Sequence, residues 1–181
     1  ALAAIAKSWP IYFIAIAVAV GIGAGTTALI SNSIGAKEDR KASMYVAQSI
    51  VLAIVISIFV TLFGLNFSDE LLRIMGSTEE SIILTREYLD IIFFGAIIVL
   101  AQLSLNGTLN AQGDTKSYRN VLIFTFFLNI FLNPLFIFGY GFIPAFGIAG
   151  LAIATLVSQC IGLLYLANKV YCCKLKKYLC L

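Results

Sequence analysis

Residues 120–168, NVLIFTFFLNIFLNPLFIFGYGFIPAFGIAGLAIATLVSQCIGLLYLAN, form a run of 49 residues without one charged side chain. A helix needs about 20 apolar residues to cross a hydrocarbon core roughly 30 Å thick, so this run is long enough to cross a membrane twice. Its middle, GYGFIPAFG, contains residues that interrupt helices and supply turns, namely Gly139, Gly141, Pro144 and Gly147. The sequence therefore predicts two membrane spans, at about 120–138 and about 146–168.

The rest of the chain is equally apolar. Apolar residues make up 61% of the 181 residues, charged residues make up 12%, and the mean hydropathy is +0.99, all well outside the range of soluble domains. Three more charge-free runs predict spans at about 9–33, 44–66 and 90–111. The runs are continuously apolar and do not alternate with polar residues, which favours helices over barrel strands. We expect an all-α integral membrane protein with five transmembrane helices.

Basic residues are unevenly divided between the two sides of this predicted bundle. Nine Lys and Arg fall on the side of the 35–41 and 112–119 loops and the C-terminal residues, against three on the other side. Because cytoplasmic loops are enriched in basic residues, we expect those loops and a basic tail at 171–181 to be cytoplasmic in a cell membrane. The net charge of +3 then faces anionic membrane lipid and implies no nucleic acid. Ala1 would start outside without a signal peptide, so we expect at least one further helix before it.

Two local signals concern helix ends and helix contacts. Ser77 and Glu80 have the spacing of a capping box, which predicts a helix that starts there and extends the third span by about three turns beyond the membrane. Small residues four positions apart let helix backbones approach closely in lipid. We expect such packing, or alternatively a flexing site, at two pairs, Gly21 with Gly25 and Gly150 with Ala154.

The composition also bears on catalysis. The chain has no histidine, which excludes histidine-dependent zinc sites and catalytic triads. No Asp or Glu lies deep in any predicted span, so an intramembrane enzyme would lack a general base and a metal site. We expect no enzymatic activity and no bound cofactor.

The polar residues within the spans are the candidate functional residues. Asn129 and Asn133 are four positions apart and share a helix face. Polar side chains should face the bundle interior or a wet cavity. Hydrogen bonding between helices is one explanation, with Pro134 as a kink that frees the carbonyl of Ile130. A cation or substrate site at a helix break is the other. The remaining polar residues in the spans are Thr26, Thr27, Ser31, Asn32, Gln48, Gln102, Ser104, Asn106, Asn110, Thr155, Ser158 and Gln159.

Four segments resemble the multidrug and toxic compound extrusion (MATE) family: LISNSIGAKEDRKA, LLRIMGSTEE followed by YLDIIFFG, LNGTLNAQGDTKS, and LNIFLNPLFIFGYGFIPAFGIAGLAIAT. Their order and spacing match the N-terminal lobe of that family over almost all of residues 1–170. The resemblance implies an antiporter of two six-helix lobes that exports small organic, often cationic drugs or toxic compounds in exchange for H⁺ or Na⁺. It also implies that the five spans are the second to sixth helices of the first lobe, with the first helix and the second lobe as missing partners.

The resemblance further implies a site. In the family, the N-lobe cation site uses an acid on the first helix, an Asn-x-x-x-Asp on the fifth and a Thr on the sixth. These positions match Asn129, Asn133 and Thr155, so Asn133 stands where the family has Asp. An amide cannot carry a proton but keeps an oxygen ligand. The implied cavity therefore contains Asn129, Asn133 and Thr155 as possible Na⁺ ligands, with Pro134 as the helix break.

Two other functions are compatible with a membrane bundle. A lipid-linked oligosaccharide flippase of the same superfamily would share the fold, but its cavity would need cationic residues to receive phosphates, and no Lys or Arg lies deep in these spans. A membrane subunit that does not transport is the other alternative, and transport by the full-length protein would exclude it.

Overall fold

A computed structural model of the chain describes residues 2–139 and 144–172. The predicted tail beyond Cys172, and Gly141 of the predicted turn, lie outside the described residues. Within them, all regular structure is helical, which confirms the predicted all-α fold. The six helices are α1 (Leu2–Gly35), α2 (Asp39–Ile74), α3 (Glu79–Phe94), α4 (Ala96–Ala111), α5 (Lys116–Phe138) and α6 (Gly147–Cys172).

Four of these helices are long and apolar enough to cross a membrane, and α3 with α4 would make a fifth span. The predicted third span at 90–111 is therefore not one straight helix, because its two parts meet at Gly95 with a bend of 45°. The Leu156 side chain of α6 packs where a Cβ at position 95 would lie. The Thr61 hydroxyl of α2 donates a hydrogen bond to the Phe93 carbonyl at 2.7 Å. Contacts from two other helices thus stabilise the bend.

The connection between α2 and α3 is mostly helical, since α2 continues past the predicted end at residue 66 to Ile74. A helix does start where the capping motif predicted one, but the predicted box is wrong in detail. The N-cap residue is Thr78, without a side-chain capping bond, and the buried Ser77 hydroxyl has no partner among the described residues. Residues 66–86, here called the α2–α3 hairpin, are held together by an ion pair between Arg86 and Asp69 at 2.6 Å.

Glycines on both helices make a close contact between α1 and α4. A Cβ on Gly107 would lie 2.5 Å from the Gly23 carbonyl oxygen. The Thr27 hydroxyl donates to the Gly23 carbonyl at 2.9 Å and to the Gly107 carbonyl at 3.1 Å. The predicted packing face at Gly21 and Gly25 is wrong for the described residues, because a Cβ at either position would meet nothing within 4 Å. Gly23, on another side of α1, makes the contact instead.

The α5–α6 pair confirms the second predicted packing face. A Cβ on Gly150 would overlap the backbone of Phe136, and Ala154 is fully buried. Pro134 does not break α5, which contains it and continues to Phe138. Proline removes one backbone donor, and here the helix tolerates that loss. Helix α5 ends instead at Gly139, whose φ of 72° favours glycine.

Candidate functional site

The candidate site lies on the face that α5 turns towards α6. Ser117, Val121 and Thr125 are buried on this face, and Asn129 and Asn133 continue it at the same four-residue spacing. The facing stripe of α6 has the same spacing and is buried throughout. It consists of Gly150, Ala154, Ser158, Gly162, Leu166 and Val170. Small residues on α6 therefore allow close approach at the level of the two asparagines.

Helix α5 begins with a side-chain cap that fixes its first turn. Asp114 accepts hydrogen bonds from the Ser117 backbone N–H at 3.0 Å and from the Ser117 hydroxyl at 2.6 Å. The hydroxyl bond, and after it the backbone bond, holds the pKa of the Asp114 carboxyl below its ordinary value. A carboxylate at this end is also favoured by the helix dipole. This cap stabilises the first turn of the helix that carries the two asparagines.

Asn129 connects the two helices through its amide nitrogen. Its Nδ2 donates to the Ser158 hydroxyl oxygen at 2.8 Å and to the Thr125 carbonyl at 2.9 Å. Ser158 is fully buried, and its own hydroxyl donates to the Thr155 carbonyl at 2.8 Å. The predicted hydrogen bonding between helices is therefore present through the bond to Ser158, and the second amide donor of Asn129 is used within α5.

The carbonyl oxygens of the two asparagines are left free. Oδ1 of Asn129 and Oδ1 of Asn133 are both buried and have no hydrogen-bond partner among the described residues. An unpaired acceptor away from water costs about 1–3 kcal/mol, so such an atom favours any donor or cation that reaches it. Two amide oxygens on adjacent turns of one helix can serve as neutral ligands for a small cation.

Thr155 is placed differently from the two asparagines. Its hydroxyl donates to the Leu151 carbonyl at 2.9 Å within α6, and its link to Asn129 runs only through its backbone carbonyl and Ser158. The residue on α6 that contacts Asn129 directly is Ser158, which the sequence identified as a polar residue within the span but not as a site residue. The sequence does contain one signal for this role, because Ser158 continues the four-residue spacing of Gly150 and Ala154 along α6.

The site is uncharged within the membrane. Neither α5 nor α6 contains an acidic residue, and the described residues include no group of three or more His, Cys, Asp or Glu that could hold a metal ion. Asn133 cannot release a proton at any ordinary pH, so it cannot act as a proton carrier. What this face offers chemically is oxygen ligation and hydrogen bonding.

The other polar residues predicted to face the interior differ in how deeply they are buried. Gln102 and Ser104 of α4 are buried, and the Ser104 hydroxyl donates to the Ser49 hydroxyl at 3.0 Å. Asn32 and Gln48 are exposed, Gln48 along a groove between α1 and α2. Asn106 of α4 has a buried carbonyl oxygen without a partner among the described residues. Asn106 thus resembles the two α5 asparagines in chemistry but lies on another helix.

Comparison with known proteins identifies the family to which this helical membrane bundle belongs. The MatE family profile matches residues 1–135, and the chain belongs to the MatE family. A FAD transporter of Shewanella oneidensis is 31% identical over 163 residues, which cover 90% of this chain and 36% of that protein. A probable multidrug resistance protein, YoeA, of Bacillus subtilis is 30% identical over 158 residues, covering 87% of this chain and 34% of that protein.

Solved structures show the same relationship. The inward-facing conformation of a multidrug resistance MATE family transporter of the MOP superfamily matches 96% of this chain with a TM-score of 0.88 and 32% sequence identity. The match covers 38% of that transporter. The chain thus spans little more than a third of the length of the relatives that it matches.

Proposed function

We propose that the full-length protein is a secondary active antiporter that exports small organic, often cationic compounds in exchange for Na⁺ or H⁺. The observation that carries this proposal is the pair of buried, unpaired amide oxygens of Asn129 and Asn133 in a chain of the MatE family. An antiporter needs a site that a cation can occupy and leave. Neutral oxygen ligands in a half-buried position suit such weak and reversible binding.

The residues favour Na⁺ over H⁺ at this particular site. Asn129 and Asn133 would contribute their Oδ1 atoms, and the Thr155 hydroxyl oxygen keeps acceptor capacity beyond the hydrogen bond that it donates. A proton carrier of the family type would need a carboxylate, and neither α5 nor α6 contains an acidic residue. If the protein exchanges H⁺, its proton carrier lies elsewhere in the full-length chain.

The two asparagines are tested by substitution in the full-length protein. Asn129→Ala and Asn133→Ala should lower ion-dependent efflux of a fluorescent organic cation from proteoliposomes, while the amount of folded protein remains close to the parent. Asn133→Asp should make efflux more dependent on pH and on Na⁺ concentration, because a carboxylate binds H⁺ and Na⁺ more strongly than an amide does. Asn106→Ala is the matched control, because it removes a similar unpaired amide from α4.

The packing explanation predicts the opposite pattern. If Asn129 only holds α5 against α6, Asn129→Ala should cost about 0.6–1.7 kcal/mol of bundle stability and leave transport per folded molecule unchanged. Efflux from all three α5 variants that matches the parent in rate and ion dependence would refute the proposed site.

The substrate class is the second part of the proposal. One relative is named a FAD transporter, so FAD belongs in the substrate panel beside organic cations. Polyanions such as FAD or a lipid-linked oligosaccharide need basic residues in the cavity, and the middle of α5 and of α6 has none. We therefore expect organic cations to be preferred. Absence of transport for every compound in the panel would instead support a subunit that does not transport.

We further propose that this chain forms most of one lobe in a cell membrane, with a first helix and a second lobe of the same protein as its partners. The basic loops at 35–41 and 112–119 and the C-terminus would face the cytoplasm. In a full-length protein without native cysteines, Glu80→Cys should react with an impermeant maleimide in intact cells and Lys37→Cys only after permeabilisation. The reverse result would refute this orientation.

A further inference from the structure

A groove of about 330 Å³ runs between α5 and α6, near the end where α5 begins. Its volume lies at the lower end of the range for small-molecule sites, roughly 300–1,000 Å³. The surface that lines it is almost entirely apolar or aromatic. The lining residues are Asn120, Val121, Phe124, Ile161, Gly162 and Tyr165.

Positive charge surrounds one end of this groove. The Lys169 ammonium lies 5.8 Å from the centre of the Tyr165 ring, and the Arg119 guanidinium lies 3.4 Å from the Asn120 side-chain oxygen. Lys116 precedes Asn120 by one helical turn and shares its face. Asp114 also lies nearby, where its carboxylate accepts hydrogen bonds from Ser117 and interacts with the Lys169 charge. Three basic side chains therefore accompany one carboxylate at the ends of two membrane helices.

We propose that this groove binds an anionic phospholipid from the adjacent leaflet. The phosphate of the headgroup contacts Arg119 and Lys169, and one acyl chain lies against Phe124 and Ile161. Basic pockets between membrane helices are suited to anionic headgroups, and guanidinium groups match phosphate geometry. One carboxylate balances only one of the three basic side chains, so a neutral lipid would leave net positive charge here, and an organic cation would be repelled by that charge. This site is independent of the two asparagines and of the proposed antiport.

The test is lipid binding to the detergent-purified full-length protein, measured by native mass spectrometry. Phosphatidylglycerol should bind more tightly than phosphatidylcholine with the same acyl chains. Arg119→Gln and Lys169→Gln should each weaken phosphatidylglycerol binding about fivefold, and the double variant about 20-fold. Arg40→Gln is the matched control, because Arg40 is an exposed basic residue on α2, a helix that does not line the groove. This variant should bind phosphatidylglycerol as tightly as the parent does.

A second variant tests the groove without changing its charge. Ile161 is exposed, so Ile161→Trp should fold and fill the groove, and it should weaken phosphatidylglycerol binding by at least threefold. Equal affinities for the two lipids, or parent-like binding by both the double variant and Ile161→Trp, would overturn the proposal. Displacement of the lipid by inorganic phosphate would also overturn it, because the site would then recognise a free anion and not a lipid.

Discussion

The α1–α4 and α5–α6 pairs both use polar side chains at a close helix contact, but with different results. In the α1–α4 pair, the Thr27 hydroxyl donates to carbonyl oxygens on both helices. In the α5–α6 pair, Asn129 uses its amide nitrogen to hold Ser158 and keeps a buried carbonyl oxygen without a partner among the described residues. A hydroxyl has a single proton, which Thr27 shares between two carbonyl oxygens, whereas an amide carries donors and an acceptor on separate atoms.

The two contacts also differ in the polar atoms that they leave without a partner. The Thr27 contact uses the one proton of the hydroxyl between the two helices. The Asn129 contact leaves an acceptor available, and Asn133 adds a second one turn away. Asn129 can therefore hold α5 against α6 with its Nδ2 atom while its Oδ1 atom stays available for the proposed cation site. Substitutions at the two contacts should then have different consequences.

Gly107→Ala should have the largest effect. The added Cβ would lie 2.5 Å from the Gly23 carbonyl oxygen, so α1 and α4 would have to move apart, at a cost of about 1–3 kcal/mol. We expect a lower melting temperature and less monodisperse protein by fluorescence-detected size-exclusion chromatography. Gly21→Ala is the control, because a Cβ there meets nothing within 4 Å. Equal stability of the two variants would contradict the assigned contact.

Thr27→Val should have an intermediate effect. The change removes the hydrogen bonds to the Gly23 and Gly107 carbonyls, and membrane hydrogen bonds of this kind are worth about 0.6–1.7 kcal/mol. Thr155→Val is the matched control, because the Thr155 hydroxyl bonds only within its own helix. Thermal unfolding should show a clear loss for Thr27→Val and little for Thr155→Val. A lower efflux rate for Thr155→Val alone would indicate that its hydroxyl serves the transported ion.

Asp114→Ala should have the smallest effect and one that depends on pH. Loss of the cap should cost about 0.5–1 kcal/mol at neutral pH, the lower part of the usual range because Asp114 is partly exposed. The folded-state pKa is depressed, so the stabilisation is present above the ordinary value of about 3.9 and is lost as the pH falls through the folded-state pKa. Melting temperatures of parent and variant should converge in acid. Thr115→Ala, at an N-cap without a side-chain bond, should change little at any pH.

Much of this fold follows from local sequence, because the length and apolarity of a helix are recorded in its own residues. The shared face of Asn129 and Asn133 likewise follows from their spacing. The bend at Gly95 could not be predicted, since the residues that accompany it, Leu156 and Thr61, belong to other helices. The sequence also does not show which glycine of α1 contacts which neighbouring helix. In GIGAG the glycines alternate, and nothing local shows that Gly23 and not Gly21 meets α4.

The site shows the same limit. Thr155 and Ser158 are three positions apart on α6, and their order along the chain does not decide which one meets Asn129. The packing register decides it, because Gly150 contacts the backbone of Phe136 near one end of α5. The antiparallel course of α6 then brings Ser158 level with Asn129. The sequence identifies the two asparagines as a pair on one helix face. Only the packing of α5 against α6 shows that the Oδ1 atoms of both are left without a hydrogen-bond partner among the described residues.

The α2–α3 hairpin responds to ionic strength in a way that the apolar part of the bundle does not. Its ion pairs, Arg86 with Asp69 and Arg73 with Glu79, are partly exposed to solvent, and the Debye length falls from about 10 Å at 0.1 M salt to about 3 Å at 1 M. Concentrated salt should therefore loosen this turn while the lipid-immersed helices keep their packing. The hydrogen-exchange rates of the hairpin amides should therefore rise with the salt concentration on the side of the membrane to which the hairpin projects.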